Sequence, residues 1–498
     1  MTLKFNNTLT GHIDEFVSLK DGKVSLYTCG PTVYNYPHIG NWAAYIYWDI
    51  LVRILMANSY DVNRVMNITD VGHLVSDADE GEDKLEVGAK REGKTAWEIA
   101  EFYTADFLSG MKKLNLIIPQ HVTKATEYIP QQLDLIRQLK EKSFTYQTSD
   151  GIYYDTSKFI QYADFAHLDL TAQKSGTRVE VSSEKRNPSD FALWKFTPTG
   201  EKRDMQWSTP ADLLEDGSWN MEDGEPQDSN SQIPIANSQR MGFPGWHLEC
   251  SAMAMSLLGN TIDIHTGGID AIPVHHTNEI AQSEAVTGVR FANYWLHNNF
   301  LKVNGTKISK SLGNVYLLSD LIEKGFNPID FRMFILQGNY RNEGNFTFDN
   351  LTAAKNRLNN WKNTAAIRHQ INSTDGNKSV APFAVSQAII EAVNDDLGTP
   401  AALKIVDEAF SQIAAAKLAD INRGSLIQML ETIDSVLGLQ IIDSTPDIGD
   451  EAKQIIMQRR QARDQKDWAV SDKLRDQLLQ MHIVIRDTAD DSIWEYEL

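Results

Sequence analysis

The chain has 498 residues, 42% hydrophobic and 23% charged, a soluble globular balance with length for two to four domains and sizeable cores. A formal net charge of -20 excludes indiscriminate binding to DNA or RNA, because the overall field repels phosphate, but it leaves room for a specific RNA partner at a local basic patch. With Cys29 and Cys250 the only cysteines, and neither a signal peptide nor a bilayer-spanning apolar run, a disulfide scaffold is excluded and a cytoplasmic protein without a membrane partner is expected.

Residues 24–28 read as a short strand that runs into Cys29-Gly30-Pro31-Thr32-Val33-Tyr34. A turn through Pro37-His38-Ile39-Gly40-Asn41 leads to an amphipathic helix over about 42–57 and then a strand over 61–70. Strand, turn, helix, strand is the βαβ unit of a nucleotide-binding α/β domain, although no Gly-x-Gly-x-x-Gly is present. A charged region over 76–94 precedes a long helical pattern reaching about Leu114, and Tyr146, Ile152, Tyr153 and Tyr154 around Asp150-Gly151 predict a hairpin. This middle portion reads as an insertion between two halves of the α/β domain. Within it, residues 211–238 are acidic and rich in Ser, Asn and Pro, the composition of an exposed excursion. From Asn350 onward the pattern is helical. A linker is expected at 443–450, followed by two helices ending in a strand-like Ile483-Val484-Ile485-Arg486-Asp487. The basic run from Gln458 to Lys466 reads either as a solvated helix face or as an RNA-facing patch.

Four residues carry metal-ligand chemistry. His275 and Glu279 are four apart in a stretch of helical character, which projects both from one face, and Cys29 and Cys250 each sit in segments crowded with glycine, proline, histidine or tryptophan. Together they supply two thiolates, an imidazole and a carboxylate, the donors of a tetrahedral zinc shell. The competing reading makes the cysteines small buried hydrophobes and His275-His276 a helix cap. His38-Ile39-Gly40-Asn41 at a helix start suits ATP phosphates through free N–H groups and side-chain donors. Lys307-Ile308-Ser309-Lys310-Ser311-Leu312-Gly313-Asn314 offers two ammonium groups able to neutralise a departing pyrophosphate.

In this order the motifs resemble the cysteinyl-tRNA synthetases, class I enzymes with "HIGH" and "KMSKS" signatures. The resemblance extends through Arg186-Asn187-Pro188-Ser189-Asp190, Pro244-Gly245-Trp246-His247-Leu248-Glu249-Cys250, Asp263-Ile264-His265-Thr266-Gly267-Gly268-Ile269-Asp270 and His275-His276-Thr277-Asn278-Glu279, and ends at Arg463-Asp464-Gln465-Lys466-Asp467-Trp468. It implies an α/β fold, a Rossmann-like catalytic domain with an inserted connective domain, a helical bundle and a small C-terminal anticodon-binding unit. The expected boundaries are 1–118 and 241–300 for the catalytic halves, 119–240 for the insertion, 301–349 for the lysine-loop region, 350–445 for the bundle and 446–498 for the anticodon unit.

The implied reaction is ATP-dependent activation of L-cysteine and its transfer to tRNA(Cys) by a monomer, with magnesium accompanying ATP. Zinc held by Cys29, Cys250, His275 and Glu279 would bind the substrate sulfur. Cys29, Gly30, Thr32 and Trp246 would line the amino-acid pocket. His38, Gly40, Asn41, Lys307 and Lys310 would handle the phosphates, with His38, Asn41, Lys307 and Lys310 catalytic, and Gly267, Gly268 and Asp270 would lie beside the ATP ribose. Several positions depart from the family pattern: Asn41 replaces the final His of "HIGH", Thr266 precedes only two glycines, Pro273-Val274 stands for Phe-Pro, Thr277 for Glu and Ile308 for Met. Two alternatives remain open. A mycothiol-pathway ligase shares the core but lacks the C-terminal region, and a non-catalytic RNA-binding paralogue would tolerate Asn41.

Overall fold

A computed structural model describes residues 2–72, 83–168, 184–198, 200, 203–215, 240–371, 382–488 and 492–497. Its central element is a parallel sheet in the spatial order Ala292–Asn298, Ile262–Gly268, Lys23–Thr28, Asp61–Ile68, His121–Lys124. The inner strands are buried almost without a break, as expected where helices cover both faces. The chain fills one side of the sheet outward from Lys23–Thr28 and then returns to fill the other. The carboxyl ends of Lys23–Thr28 and Ile262–Gly268 therefore form the topological switch point, the crevice where such sheets bind ligands.

Between the third and fourth parallel strands the chain builds a separate antiparallel sheet, ordered Thr145–Gln147, Gly151–Tyr154, Phe191–Phe196, Met241–Pro244, Trp207–Ser208. The first two strands are the hairpin expected around Asp150-Gly151. Of the acidic excursion, only 211–215 falls within the described residues. There Ala211, Asp212 and Glu215 are exposed, as expected, while Leu213 is buried and Asp212 pairs with Arg137; residues 216–238 lie outside the described residues.

Three local boundaries differ from expectation. The first long helix is Ile39–Ala57, so Gly40 and Asn41 lie in its first turn, because His38 closes the helix end as a cap. The strand expected over 61–70 ends at Ile68, where Thr69 and Asp70 turn to side-chain bonding. A second C-terminal strand, Ser492–Tyr496, pairs with Ile483–Asp487 and docks on the bundle through reciprocal bonds between Gln370 and the Trp494 backbone. No turn signal of the short-hairpin kind marked that strand.

The helix Ile39–Ala57 is tied to the rest of the protein by a buried ion cluster. Asp49 Oδ2 accepts from Arg53 Nε and Arg332 Nη2, each at 2.6 Å, and Oδ1 accepts from the Ile117 N–H at 2.7 Å. The guanidinium groups then reach carbonyls that end two other helices: Arg332 Nε donates to Leu437 at 2.7 Å and Arg53 Nη2 to Asn115 at 2.6 Å. Cations at helix C-termini are favourable there, where the last carbonyls lack helical partners. Gly438, at φ 67°, closes the helix Arg423–Leu437, and a Cβ at that position would lie 2.5 Å from Arg332 Nη2. Burial pushes the Asp49 pKa up, but Arg332 and Arg53 outweigh it and leave the carboxyl below its ordinary value. Asp49→Ala leaves two buried guanidinium groups without their counter-charge and is expected to cost about 3–5 kcal/mol in urea unfolding; an unchanged midpoint would show that the cluster does not join these helices.

Candidate active site

The switch point gathers residues from distant parts of the sequence. Cys29 follows the strand Lys23–Thr28, and its N–H donates across the crevice to Thr266 O at 3.3 Å. Cys250 lies on the helix Trp246–Leu258, and Glu279 in the first turn of Thr277–Thr287. His275 belongs to a π-helical turn, Ile272–His276, rather than to the single helix expected, yet its Nε2 still comes within 3.0 Å of Glu279 Oε1. The ligand atoms of Cys29, Cys250, His275 and Glu279 all lie within 4.8 Å of one another. A tetrahedral zinc ion needs donor separations of about 3.3–3.8 Å, so small side-chain adjustments would complete the shell. The donor set fits the metal that the sequence implies.

The protonation states are set by burial and by one another. Burial opposes the charge on Glu279, but His265 and His275 overcome it and hold the carboxyl down to about 2. Burial likewise opposes a charge on His275, and Glu279 and Cys250 raise its pKa well above the ordinary imidazole value in spite of it. Burial drives the Cys250 thiol well above its ordinary value, with help from Cys29 and Glu279. A hydrogen bond from Cys250 lowers the pKa of Cys29, but burial and the carboxylates of Glu279, Glu249 and Asp270 leave it raised overall.

Around this group stand residues the sequence reading did not assign. His265 Nε2 lies 2.8 Å from Glu279 Oε2, His247 Nδ1 lies 2.9 Å from His275 Nδ1, and His276 Nδ1 lies 2.7 Å from His297 Nε2. His265 and His297 stand on neighbouring strands, where Gly267 faces His297 in register, so the alternating side-chain direction of paired strands was the available signal. A second chain of bonds joins the two cysteine segments. The Gly30 N–H donates to Asn67 Oδ1 at 2.8 Å, Asn67 Nδ2 donates to Thr69 Oγ1 at 3.0 Å, and the Thr69 hydroxyl donates to Glu249, the neighbour of Cys250. A Cβ on Gly30 would fall 1.6 Å from the Asn67 carbonyl oxygen, so only glycine fits. Thr32 pairs with Thr69 in a short parallel bridge beside this chain. Trp246, half-buried, sets its ring 4.9 Å from that of His275.

The two motifs expected to handle ATP also come together. His38 Nδ1 accepts from the N–H groups of Gly40 at 3.1 Å and Asn41 at 3.3 Å, and Asn41 Oδ1 accepts from the His38 N–H at 3.0 Å. The Ile39 N–H donates to Tyr316 O at 2.9 Å. The first-turn N–H groups expected to be free for phosphate are therefore engaged, and Nε2–H of a neutral His38 is the donor left for a ligand. Burial lowers the His38 pKa, in agreement with the neutral ring. Ile308 of the lysine loop lies against Gly40, and Leu317 bridges His38, so two motifs about 270 residues apart become neighbours. Lys307 and Lys310 are exposed, with no ion-pair partner given by the described residues. A Cβ on Gly267 would lie 2.5 Å from His276 Cε1, so its missing side chain makes room for that ring. At Gly268 a Cβ would lie 2.3 Å from Asp270 Oδ1, and Asp270 itself is exposed in a short turn.

Comparison with known proteins places these features in a context. The family of tRNA synthetases class I (C) catalytic domains matches residues 15–224 and 226–356, and the cysteinyl-tRNA ligase anticodon binding domain matches 445–494. A cysteine–tRNA ligase of Treponema denticola is 38% identical, covering 99% of this chain and 100% of its own length. Cysteine–tRNA ligase 1 of Burkholderia lata is 39% identical over 96% of this chain and 93% of its own. Among solved structures, Mycobacterium tuberculosis methionyl-tRNA synthetase with methionyl-adenylate superposes with a TM-score of 0.58 at 14% identity, covering 84% of this chain and 92% of that one. The Agrobacterium radiobacter K84 agnB2 LeuRS in a ternary complex with tRNA and LeuAMS gives 0.59 at 12% identity over 86% of each chain. These two structural likenesses bear on the fold alone.

The raised thiols predict how a divalent ion enters the tetrad. Each thiol keeps its proton near neutrality and the raised His275 imidazole carries its second, so metal binding expels about three protons, and affinity rises with pH and falls as acid returns them. Calorimetric titration of the metal-free protein in two buffers of different ionisation enthalpy measures that release; binding without it would exclude thiolate ligation.

Proposed function

The chain belongs to the cysteinyl-tRNA synthetase family, and on that premise we propose that the tetrad at the switch point selects cysteine by its sulfur while the capped helix and the lysine loop manage ATP. The activity is ATP-dependent ligation of cysteine to tRNA. The observation that carries the residue-level reading is the convergence of Cys29, Cys250, His275 and Glu279 within 4.8 Å at the carboxyl end of the sheet. Zinc bound there would supply a thiophilic Lewis acid that favours a thiolate over a hydroxyl. A purely apolar pocket would separate cysteine from its close analogues by only about 1–3 kcal/mol.

The chain's own residues do the rest. The carboxylate oxygen of cysteine attacks the α-phosphorus of ATP. The bond to the bridging oxygen breaks, and pyrophosphate leaves with the electron pair. His38, neutral and held by its cap, presents Nε2–H toward phosphate, and Asn41 can turn its amide to the same side. Lys307 and Lys310 balance the charge that accumulates on the leaving pyrophosphate, with magnesium accompanying ATP. The terminal ribose hydroxyl of tRNA then attacks the acyl carbon, loses its proton, and AMP departs. Trp246 walls the amino-acid pocket beside His275, Gly30 and Thr32 form its backbone edge, and Gly267, Gly268 and Asp270 lie at the nucleotide end. Among the described residues no helix is long and apolar enough to cross a membrane.

At the C-terminal end the basic run is partly structural. Arg459 is buried and grips both oxygens of Asp487, at 2.8 and 2.7 Å, while Arg463 donates to the same carboxylate at 2.9 Å. Trp468 is 56% exposed at the start of the next helix, with the Arg463 guanidinium 5.8 Å from its ring centroid, and offers an aromatic surface on which a nucleotide base can stack.

Three experiments test this reading. Labelled cysteine, ATP and magnesium with a tRNA transcript bearing a GCA anticodon should give cysteine-specific charging, with serine refused; equal charging of serine would defeat the sulfur-selection reading. Lys307→Ala should lower cysteine-dependent pyrophosphate exchange by about 10²-fold or more while leaving the metal content unchanged. Trp468→Ala should raise the KM for tRNA by about tenfold and leave pyrophosphate exchange intact; a matched fall in both would place Trp468 in structural packing instead.

A further inference from the structure

Glu279 addresses its two carboxylate oxygens to different partners. Oε1 lies 3.0 Å from His275 Nε2 and 4.0 Å from His276 Nε2, whereas Oε2 lies 2.8 Å from His265 Nε2. The ligand set assigned above uses the Oε1 side. A second set, from Cys29, His265, His276 and Glu279, is equally compact, with all its ligand atoms within 4.8 Å and His276 Nε2 only 3.5 Å from Cys29 Sγ. We propose that this second set is an inner seat for the same divalent ion, exclusive of the outer one because both require Cys29 and Glu279. The inference rests on the metal reading above and extends it.

The inner histidines have the surroundings of ligands. A metal-binding imidazole commonly engages its other ring nitrogen in an outer hydrogen bond that fixes tautomer and orientation. His276 has that arrangement: Nδ1 is 2.7 Å from His297 Nε2, and His297 Nδ1 is 2.7 Å from Thr8 Oγ1, which leaves His276 Nε2 aimed at Cys29. His265 is held by packing instead, stacked on Trp295 with centroids 4.4 Å apart and an interplanar angle of 14°, and flanked by Tyr27 at 5.0 Å. Gly267 contributes by its missing side chain, since a Cβ would occupy the place of the His276 ring.

Charge and access distinguish the seats. Two thiolates and a carboxylate leave a divalent ion in the outer set with one net negative charge, whereas one thiolate and a carboxylate leave the inner set neutral. A neutral centre is the cheaper one to keep away from water. His265 and His276 are wholly buried at 0%, while His275, also buried, keeps 8% exposure beside half-buried Trp246. The outer seat thus faces the substrate pocket and the inner seat lies behind it. A chain can be fully loaded with metal in the inner seat while Cys250 and His275 stand unligated and no metal is presented to a substrate sulfur.

Cobalt is the probe, because its thiolate-to-metal absorption reports the number of sulfur ligands. The full-length wild-type protein should bind about one Co²⁺ per chain with the absorption of two thiolates. Cys250→Ser should still bind about one, with roughly half that absorption and little cysteine activation, and the further change His276→Asn should abolish retention. Loss of all Co²⁺ from a folded Cys250→Ser would overturn the inner seat while leaving the outer one standing. A wild-type protein that binds no Co²⁺ would remove the metal reading itself. Should Cys250→Ser not fold, His275→Asn leaves the inner set equally complete: it must retain Co²⁺ with a single-thiolate spectrum, and its failure to do so as a folded protein sinks the proposal.

Discussion

The carboxylate of Glu279 is wholly removed from solvent, and a lone ion in that position would cost several kcal/mol. Much of the site's architecture can be traced to satisfying it. His275 comes from the preceding turn and His265 from the neighbouring strand, each meeting one oxygen. The His265 ring lies in an apolar frame of Tyr27, Phe291 and Trp295, so the surrounding ring nitrogens must also be paired or held by packing. The pairing spreads to His247 and, beyond His276, to His297 and Thr8, which ties the N-terminal segment to the sheet. The outcome is a polar chain laid through the carboxyl end of a parallel sheet, with Cys29 and Cys250 brought against it.

The helix Ile39–Ala57 carries the second organising constraint. Its N-terminal cap is His38, and eleven residues further along Asp49 holds Arg53 and Arg332. Those arginines grip the closing carbonyls of Arg423–Leu437 and of the residues after Ala96–Lys113. The capped end of Ile39–Ala57 and the helix Arg423–Leu437 are thus parts of one rigid connection. A long thin helix on the sheet surface would otherwise be free to slide, and a displacement of about 1 Å at a reacting group can cost 10²-fold in rate.

The convergence of Cys29, Cys250, His275 and Glu279 was legible because donor chemistry restricts the choice. With two cysteines in the chain and a His-x-x-x-Glu spacing near the second, few other thiolate-containing sets could be assembled. The hairpin at Asp150-Gly151 and the parallel βαβ unit were legible for a similar reason, since turn chemistry and burial pattern are local properties. The histidine wall was not. His247, His265, His276 and His297 are scattered across 50 residues, and each alone reads as a satisfied core group. Nor did the sequence indicate that the first-turn N–H groups after His38 would be engaged, because a histidine ring acting as an N-cap competes with the phosphate it was expected to bind.

By itself the sequence determined the family, the order of the motifs and the identity of the donors, because these rest on residue types and spacings that chemistry permits only in certain combinations. Tertiary structure alone decided what those residues face. Gly267 gives way to a histidine ring, Ile308 of the lysine loop rests on Gly40, and Glu279 turns one oxygen to each of two imidazoles, since such contacts depend on strand register and helix packing that join residues hundreds of positions apart.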